Sequence, residues 1–181
     1  MVSILAKILD KKGYHVALEY DKTDKHDLLL NDKILEAKFY YEEDIKYRLK
    51  GELEKVNNSI DKLLKELKDT LDQGKYPSGW NLSLNILRDI YYKNPHFFML
   101  TILSRDLTNV TEQELDTIMW KSSKCPTYNK KFGYNNQNVL KIAIDFLNSI
   151  KKKKSFSYQY VKIDTNTKFP SSYHIHLYGF S

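Results

Sequence analysis

A short hairpin signature constrains the fold of this chain more than any other feature of its sequence. Two apolar runs flank Asn31 and Asp32, residue types that tolerate the left-handed backbone of a tight turn. A two-residue turn fixes the register of the strands beside it, and counting outward from this turn sets Asp27 directly opposite Glu36. The sequence therefore predicts a β-hairpin whose strands bring two carboxylates together.

A lysine completes this constellation. Lys38 lies two residues beyond Glu36, so strand alternation points both side chains to one face of the hairpin. The neighbouring carboxylates of Asp27 and Glu36 repel each other and are costly to desolvate, which favours a bound cation between them. Oxygen ligands of this kind suit Mg²⁺ or Mn²⁺. Glu19, on the preceding predicted strand, is a candidate further ligand, and Asp21 replaces it if that strand is shifted.

The rest of the chain alternates between helical and strand patterns. Apolar residues at spacings of three and four predict helices, and short apolar or alternating runs predict strands. The predicted helices are 2–12, 42–73, 82–92, 111–121 and a segment capped by Asn138, and the predicted strands are 15–20, 28–30, 34–40, 96–103, 156–163 and 173–178. Gly51 is expected to bend or delay the second helix. This order predicts one α/β domain over 1–181, a mixed central sheet flanked by helices, with its core at about 2–103 and a C-terminal extension at about 104–181.

The acidic pattern and the order of elements resemble the PD-(D/E)XK nuclease superfamily. The segments that carry the resemblance read GYHV and HDLLLNDKILEAK, and the likeness spans about 2–103. Asp27 matches the acidic residue on the second strand of that family, and Glu36-Ala37-Lys38 matches its D/E-x-K motif. The resemblance implies a restriction-endonuclease-like core in the order α-β-β-β-α-β.

The same resemblance implies metal-dependent hydrolysis of a phosphodiester bond. Asp27, Glu36 and Lys38 would be catalytic, and Asp27, Glu36 and Glu19 would be metal ligands, with Asp10 the other match for the extra acid. The metal would polarise the phosphate and promote a bound hydroxide, while Lys38 would assist the attacking water or stabilise developing charge. A restriction-type DNA endonuclease ranks first and a Holliday-junction resolvase second, and an RNA endonuclease of the superfamily is a further alternative.

The charge of the chain is compatible with a nucleic-acid partner, DNA before RNA. The net charge is +6, and lysine supplies nearly all of the positive charge, which suits contacts with backbone phosphate. Genome composition explains the same richness in lysine and asparagine equally well. The candidate nucleic-acid-binding residues are Lys46, Arg48, Lys130, Lys131, Asn135 and Asn136.

Other features define the expected setting and the competing hypotheses. Cys125 is the single cysteine, the first residues carry charge too early for a signal peptide, and we expect a reducing, cytoplasmic location without a membrane span.

The apolar stripe over 49–71 indicates core packing or, alternatively, a helical homodimer contact. A non-catalytic nucleic-acid-binding module and a helix-mediated assembly protein are therefore the competing functions. His174 and His176 share a strand face, where ordinary packing is favoured over a transition-metal site.

Overall fold

The chain forms a mixed α/β structure around a six-stranded, mostly antiparallel sheet. The computed structural model describes residues 2–20, 26–42, 44–105, 136–151, 154–165 and 171–180. The strands are β1 (Val16–Tyr20), β2 (His26–Leu30), β3 (Lys33–Tyr41), β4 (Phe97–Arg105), β5 (Ser157–Thr165) and β6 (Ser171–Gly179). The helices are α1 (Val2–Lys11), α2 (Lys50–Lys55), α3 (Ile60–Asp72), α4 (Leu82–Tyr91) and α5 (Asn136–Lys151), and a π-helical turn covers Asp44–Leu49.

The sheet is ordered β1-β2-β3-β4-β6-β5. Strands β1, β2 and β3 form an antiparallel meander, β4 lies parallel to β3, and β6 and β5 extend the sheet in antiparallel fashion. The chain thus has the expected mixed sheet with helices, in which the β3–β4 pair is parallel and the other pairs of neighbouring strands are antiparallel. Among the described residues, no helix combines the length and the apolar character that crossing a membrane requires.

The turn between β2 and β3 is the two-residue turn that the sequence predicts. Asn31 has a φ of 45° and Asp32 a φ of 65°, both in the left-handed region. Leu28 pairs with Leu35, so the predicted register is confirmed. The Asn31 side chain also accepts a hydrogen bond from the backbone N–H of His15 at 2.9 Å, which ties the start of β1 to the same turn.

The long helix expected over 42–73 is divided at two places. Its α-helical part starts late, at Lys50 beside Gly51, after the π-helical turn, and a second interruption follows. Gly51 lies inside α2, while the chain breaks at Asn57 and Asn58, whose φ values are 54° and 57°. Asparagine adopts this left-handed conformation more readily than most residues, so two in succession end the helix. Ser59 then caps α3 by accepting a hydrogen bond from the backbone N–H of Lys62.

Two core layers cover the two faces of the sheet. The larger layer contains side chains of α2, α3, α4 and α5 packed on β4, and the smaller contains Ala6 of α1 packed on Leu28, Leu35 and Met99. The leucine-rich stripe belongs to the larger layer, since the following residues are buried there: Leu49, Leu53, Ile60, Leu63 and Leu67. This part of the stripe therefore serves as core packing inside the chain.

The C-terminal part contributes one helix and the last two strands. Helix α5 begins at Asn136, two residues before the cap that we expected at Asn138. Both final strands are present. Strand β5 starts one residue later and ends two residues later than expected, and β6 extends beyond both expected limits. The predicted helix over 111–121 lies outside the described residues.

Candidate active site

The hairpin register brings the two predicted carboxylates to one place on the sheet. Because Leu28 pairs with Leu35, the next residues outward are Asp27 on β2 and Glu36 on β3. The Asp27 carboxylate accepts a hydrogen bond from the backbone N–H of Ala37 through Oδ2, at 2.7 Å. Glu36 is completely buried, with 0% of its surface exposed. A buried carboxylate needs compensating charge, so the surroundings of Glu36 decide what the site can do.

One lysine supplies positive charge to Glu36, and a second lysine is paired with another buried carboxylate nearby. Lys93, which follows α4, places Nζ 2.8 Å from Glu36 Oε2. Lys38 places Nζ 2.5 Å from Oδ2 of Asp89, a residue of α4 that is also 0% exposed. We call Asp27, Glu36, Lys38, Asp89 and Lys93 the carboxylate–lysine cluster.

Asp89 is the electrostatic centre of this cluster. Its Oδ1 accepts hydrogen bonds from Arg88 Nε at 3.0 Å and Nη2 at 2.8 Å, and Lys93 Nζ lies 3.9 Å from the same oxygen. Oδ2 meets the Lys38 ammonium as a close ion pair, although the angle does not satisfy a hydrogen bond. Because the two charges lie so close together, their electrostatic attraction stabilises the contact even without a well-directed hydrogen bond. Asp89 therefore holds Lys38 in position beside Glu36.

The sequence analysis missed Asp89, although a signal for it exists. In α4, Leu82, Ile86 and Ile90 are buried at helical spacing, and Asp89 lies on the same face. A carboxylate on an apolar helical stripe is unusual, because burying a charge without a partner is costly. A carboxylate at this position of α4 predicts a buried ion pair. It does not indicate which strand carries the cationic partner. Lys93 had no comparable signal.

Tyr40 lies next on the same face of β3, beyond Glu36 and Lys38. Burial, followed by the nearby negative charge of Asp89, raises the pKa of the Tyr40 phenol well above its ordinary value of 10.0. The phenol therefore remains protonated throughout the neutral range. It can donate a hydrogen bond at the edge of the cluster but cannot act as a base there at neutral pH.

The cluster offers oxygen ligands to a cation, with a competing ammonium already present. Asp27 and Glu36 are the carboxylates placed beside each other by the register, and Lys93 lies against Glu36. Within the described residues, no group of three or more His, Cys, Asp or Glu side chains is arranged to hold a metal. Mg²⁺ binds through one or two carboxylates when phosphate oxygens and waters complete its shell. The two carboxylates therefore fit a metal that arrives with a phosphate.

The third predicted ligand lies at the matching position of β1. The β1–β2 pairs Leu18–Leu28 and Tyr20–His26 place Glu19 opposite Asp27 in the ladder. Its side chain is outside the part of the structure that is described, as is residue 21, the alternative ligand. Asp10 belongs to α1, on the other face of the sheet from the cluster.

The predicted nucleic-acid-binding residues are not brought together in the described part of the chain. Arg48 contacts Asp44 at 2.9 Å and the carbonyl oxygens of Gly79 and Trp80 at 2.9 and 3.2 Å, so it anchors a loop. The remaining candidates lie outside the described residues or have side chains that do: Lys46, Lys130, Lys131, Asn135 and Asn136.

The histidine pair forms a separate polar row across the sheet. His174 Nδ1 lies 2.8 Å from the Tyr160 hydroxyl, and His176 Nδ1 lies 2.9 Å from that of Tyr158. His174 Nε2 also lies 3.0 Å from Ser104 Oγ. Burial lowers the pKa of both imidazoles, that of His176 to about 4. The pair is thus packed and neutral at neutral pH, in agreement with the interpretation of ordinary packing.

The resemblance to the nuclease superfamily rests on the residues and elements of this chain alone. The chain matches no protein-family model, and comparisons with curated proteins and with solved structures also gave no match.

Proposed function

We propose that this chain is a metal-dependent endonuclease that hydrolyses phosphodiester bonds in DNA. The observation that carries the proposal is the β2–β3 register. Its last pair is Leu28–Leu35, and the next residue on each strand is Asp27 or the fully buried Glu36, with Lys38 on the same strand face as Glu36. Paired carboxylates beside an ammonium are the groups that metal-assisted phosphodiester hydrolysis requires. The antiparallel meander followed by a parallel β4 supports the restriction-endonuclease-like arrangement that the resemblance implies.

The chemistry divides between the cation and the side chains. Mg²⁺ or Mn²⁺, held by Asp27 and Glu36 with Glu19 as a further ligand, would supply Lewis acidity and an activated water. Lys93 compensates the negative charge of Glu36, and a cation held by Glu36 would compete with this ion pair. Lys38 Nζ, fixed by Asp89, then orients the attacking water or stabilises the charge on the phosphate oxygens.

Within this proposal a restriction-type endonuclease ranks first, and the Holliday-junction resolvase and RNA endonuclease remain alternatives. Two active sites cut both strands of a duplex, so a homodimer belongs to the restriction-type hypothesis. The alternative of assembly through the leucine-rich stripe is weakened, because Ile60 and Leu63 are buried in the chain's own core.

One observation favours a second candidate, a nucleic-acid-binding module without catalysis. The Lys93 ammonium lies 2.8 Å from the Glu36 carboxylate and already satisfies part of its charge. If this ion pair persists when DNA binds, no metal enters and the chain binds without cleaving.

Cleavage of plasmid and branched DNA with Mg²⁺ or Mn²⁺ tests the proposal. We expect the wild type to cut, and Glu36→Gln and Lys38→Ala each to reduce the rate about a hundredfold or more. Lys68→Ala is the matched control, because Lys68 forms an exposed ion pair on α3 away from the cluster. A wild type that binds DNA but cuts it with neither metal would refute the enzyme and leave the binding module.

A further inference from the structure

The loop between α3 and α4 presents two aromatic side chains to solvent. Trp80 is 70% exposed and Tyr76 is 69% exposed, more than any other large apolar side chain of the described residues. An indole has a large apolar surface, and its exposure leaves that surface available to a binding partner. We call Tyr76 and Trp80 the aromatic pair.

The backbone that carries the aromatic pair is firmly held. The Ser78 carbonyl accepts hydrogen bonds from the Asn81 N–H at 2.8 Å and from Asn85 Nδ2 at 2.7 Å. Arg48 binds the carbonyl oxygens of Gly79 and Trp80 from the other side. Two exposed rings on a fixed loop lose little conformational freedom when a ligand binds, so they form a preorganised surface.

Each ring already has a guanidinium beside it. The Arg48 guanidinium lies 4.8 Å from the centre of the Trp80 ring, and that of Arg88 lies 6.0 Å from the centre of the Tyr76 ring. A guanidinium packed on one side of the indole leaves its other side open, as the high exposure of Trp80 requires. A flat aromatic ligand can stack on the open face of the Trp80 ring, while the Arg48 guanidinium contacts the opposite face.

The aromatic pair is connected to the carboxylate–lysine cluster through one side chain. Arg88 lies beside the Tyr76 ring and donates to Asp89 Oδ1, and Asp89 Oδ2 contacts the Lys38 ammonium. A ligand stacked on Tyr76 therefore lies close to the cluster. In nucleic acid, a base and its own phosphate are joined by a single sugar, so one strand can contact both places.

From this arrangement we infer that Trp80 and Tyr76 form a stacking platform for unpaired bases of a single-stranded nucleic acid segment. The inference rests on the proposed nuclease function. Within that proposal it favours the alternatives whose substrate carries unpaired nucleotides beside the cleaved bond over a restriction-type enzyme that acts on intact duplex. Bases in an intact duplex are stacked on one another and do not expose their faces to a protein side chain. Lys75, next to Tyr76, is exposed, and its ammonium donates to Gln73 Oε1 at 3.0 Å. It adds positive charge beside the aromatic pair, which favours a strand that carries phosphates.

Binding of a fluorescein-labelled oligothymidylate, followed by anisotropy in EDTA, tests the platform without cleavage. We expect the wild type to prefer this probe to a blunt duplex of equal length. Trp80→Ala and Tyr76→Ala should each raise the Kd for the oligothymidylate about tenfold, and Trp80→Phe should recover most of the loss. Tyr14→Ala, which removes an exposed aromatic after α1, is the matched control and should leave the Kd unchanged.

The outcomes separate this inference from the nuclease proposal. If Trp80→Ala weakens oligothymidylate binding in EDTA while the wild type cuts no DNA, the platform is supported and the nuclease proposal fails. If the wild type cuts DNA but Trp80→Ala binds oligothymidylate as the wild type does, the platform is refuted and the nuclease proposal stands. A wild type that binds no oligothymidylate, or prefers the duplex, also refutes the platform and points to another partner for the exposed rings.

Discussion

Asp89 connects the stability of the chain to the geometry of its candidate active site. It is fully buried, it lies within ion-pair distance of Lys38, Arg88 and Lys93, and it supplies the negative charge nearest to Lys38. The three cations are partly exposed and can turn toward water if Asp89 is lost. Loss of Asp89 therefore lowers the free energy of unfolding by less than loss of one partner in a fully buried ion pair would. It still removes the contact that holds the Lys38 ammonium in place.

We predict that Asp89→Asn lowers the free energy of unfolding by about 2 kcal/mol, because a neutral amide removes the buried carboxylate that meets the Lys38 ammonium and the Arg88 guanidinium. Urea unfolding measures the change. Asp72→Asn, which removes the acidic partner of an exposed ion pair on α3, is the control and should leave the transition midpoint in place. Equal midpoints for Asp89→Asn and the wild type would show that the network contributes nothing to stability.

At the scale of residues, the sequence predicts three of the five members of the carboxylate–lysine cluster. Asp27, Glu36 and Lys38 are close in sequence and are related by one hairpin, so local rules place them. Asp89 and Lys93 are more than fifty residues in sequence from their partners Lys38 and Glu36, and they meet them only through packing of α4 on the sheet. No local pattern specifies that contact.

At the scale of elements, the turn at Asn31 and Asp32 controls the site. A shift of one residue between β2 and β3 would turn Glu36 to the opposite face of the sheet. Both turn residues have positive φ, a conformation that costs most residues about 1 kcal/mol. The register of the site thus depends on the chemistry of two side chains outside it.

We predict that Asp32→Ala lowers the free energy of unfolding by about 1 kcal/mol, because alanine is strained at the φ of 65°. Asp32→Gly and Asp32→Asn are the matched variants and should remain within about 0.5 kcal/mol of the wild type, since both residues tolerate this backbone. Urea unfolding of the three variants provides the comparison. If alanine is tolerated as well as glycine, backbone strain at this turn does not limit stability.

The elements themselves are largely predictable, with one instructive failure. Periodicity locates α1, α4 and the described strands to within a few residues. The late start of α-helix expected near Gly51 is observed at Lys50, after the π-helical turn, but the break at Asn57 and Asn58 is not predicted. Glycine only weakens a helix, and packing of Leu53 in the core offsets that cost. Two consecutive left-handed asparagines end the helix outright.

At the scale of the whole molecule, the order of the strands escapes prediction. Strand β4 pairs with both β3 and β6, and β5 lies at the edge, so β4 and β6 are neighbours in the sheet but not in the chain. This order places the histidine pair of β6 on the same sheet face as the carboxylate–lysine cluster, with β4 between them. Long-range pairing of this kind depends on the complete set of packed faces.

The buried histidines make the stability of the fold depend on pH. The folded chain holds the pKa of His176 at about 4, against an ordinary value of 6.5, mainly through burial and secondarily through the charge of His174. Between these values the unfolded chain binds a proton that the folded chain excludes, so stability is complete above pH 6.5 and falls as the pH decreases toward 4. The shift corresponds to a loss of about 3 kcal/mol across this window.

Urea unfolding at a series of pH values between 6.5 and 4 measures this loss. His176→Gln, which keeps a hydrogen-bonding group near the Tyr158 hydroxyl but does not titrate, should show a flatter decline than the wild type. His15→Gln replaces an exposed histidine and should follow the wild-type curve. Parallel curves for His176→Gln and the wild type would mean that His176 does not govern the acid limit of the fold. A flatter curve for His176→Gln alone would place that limit on β6, separate from the carboxylates of the candidate active site.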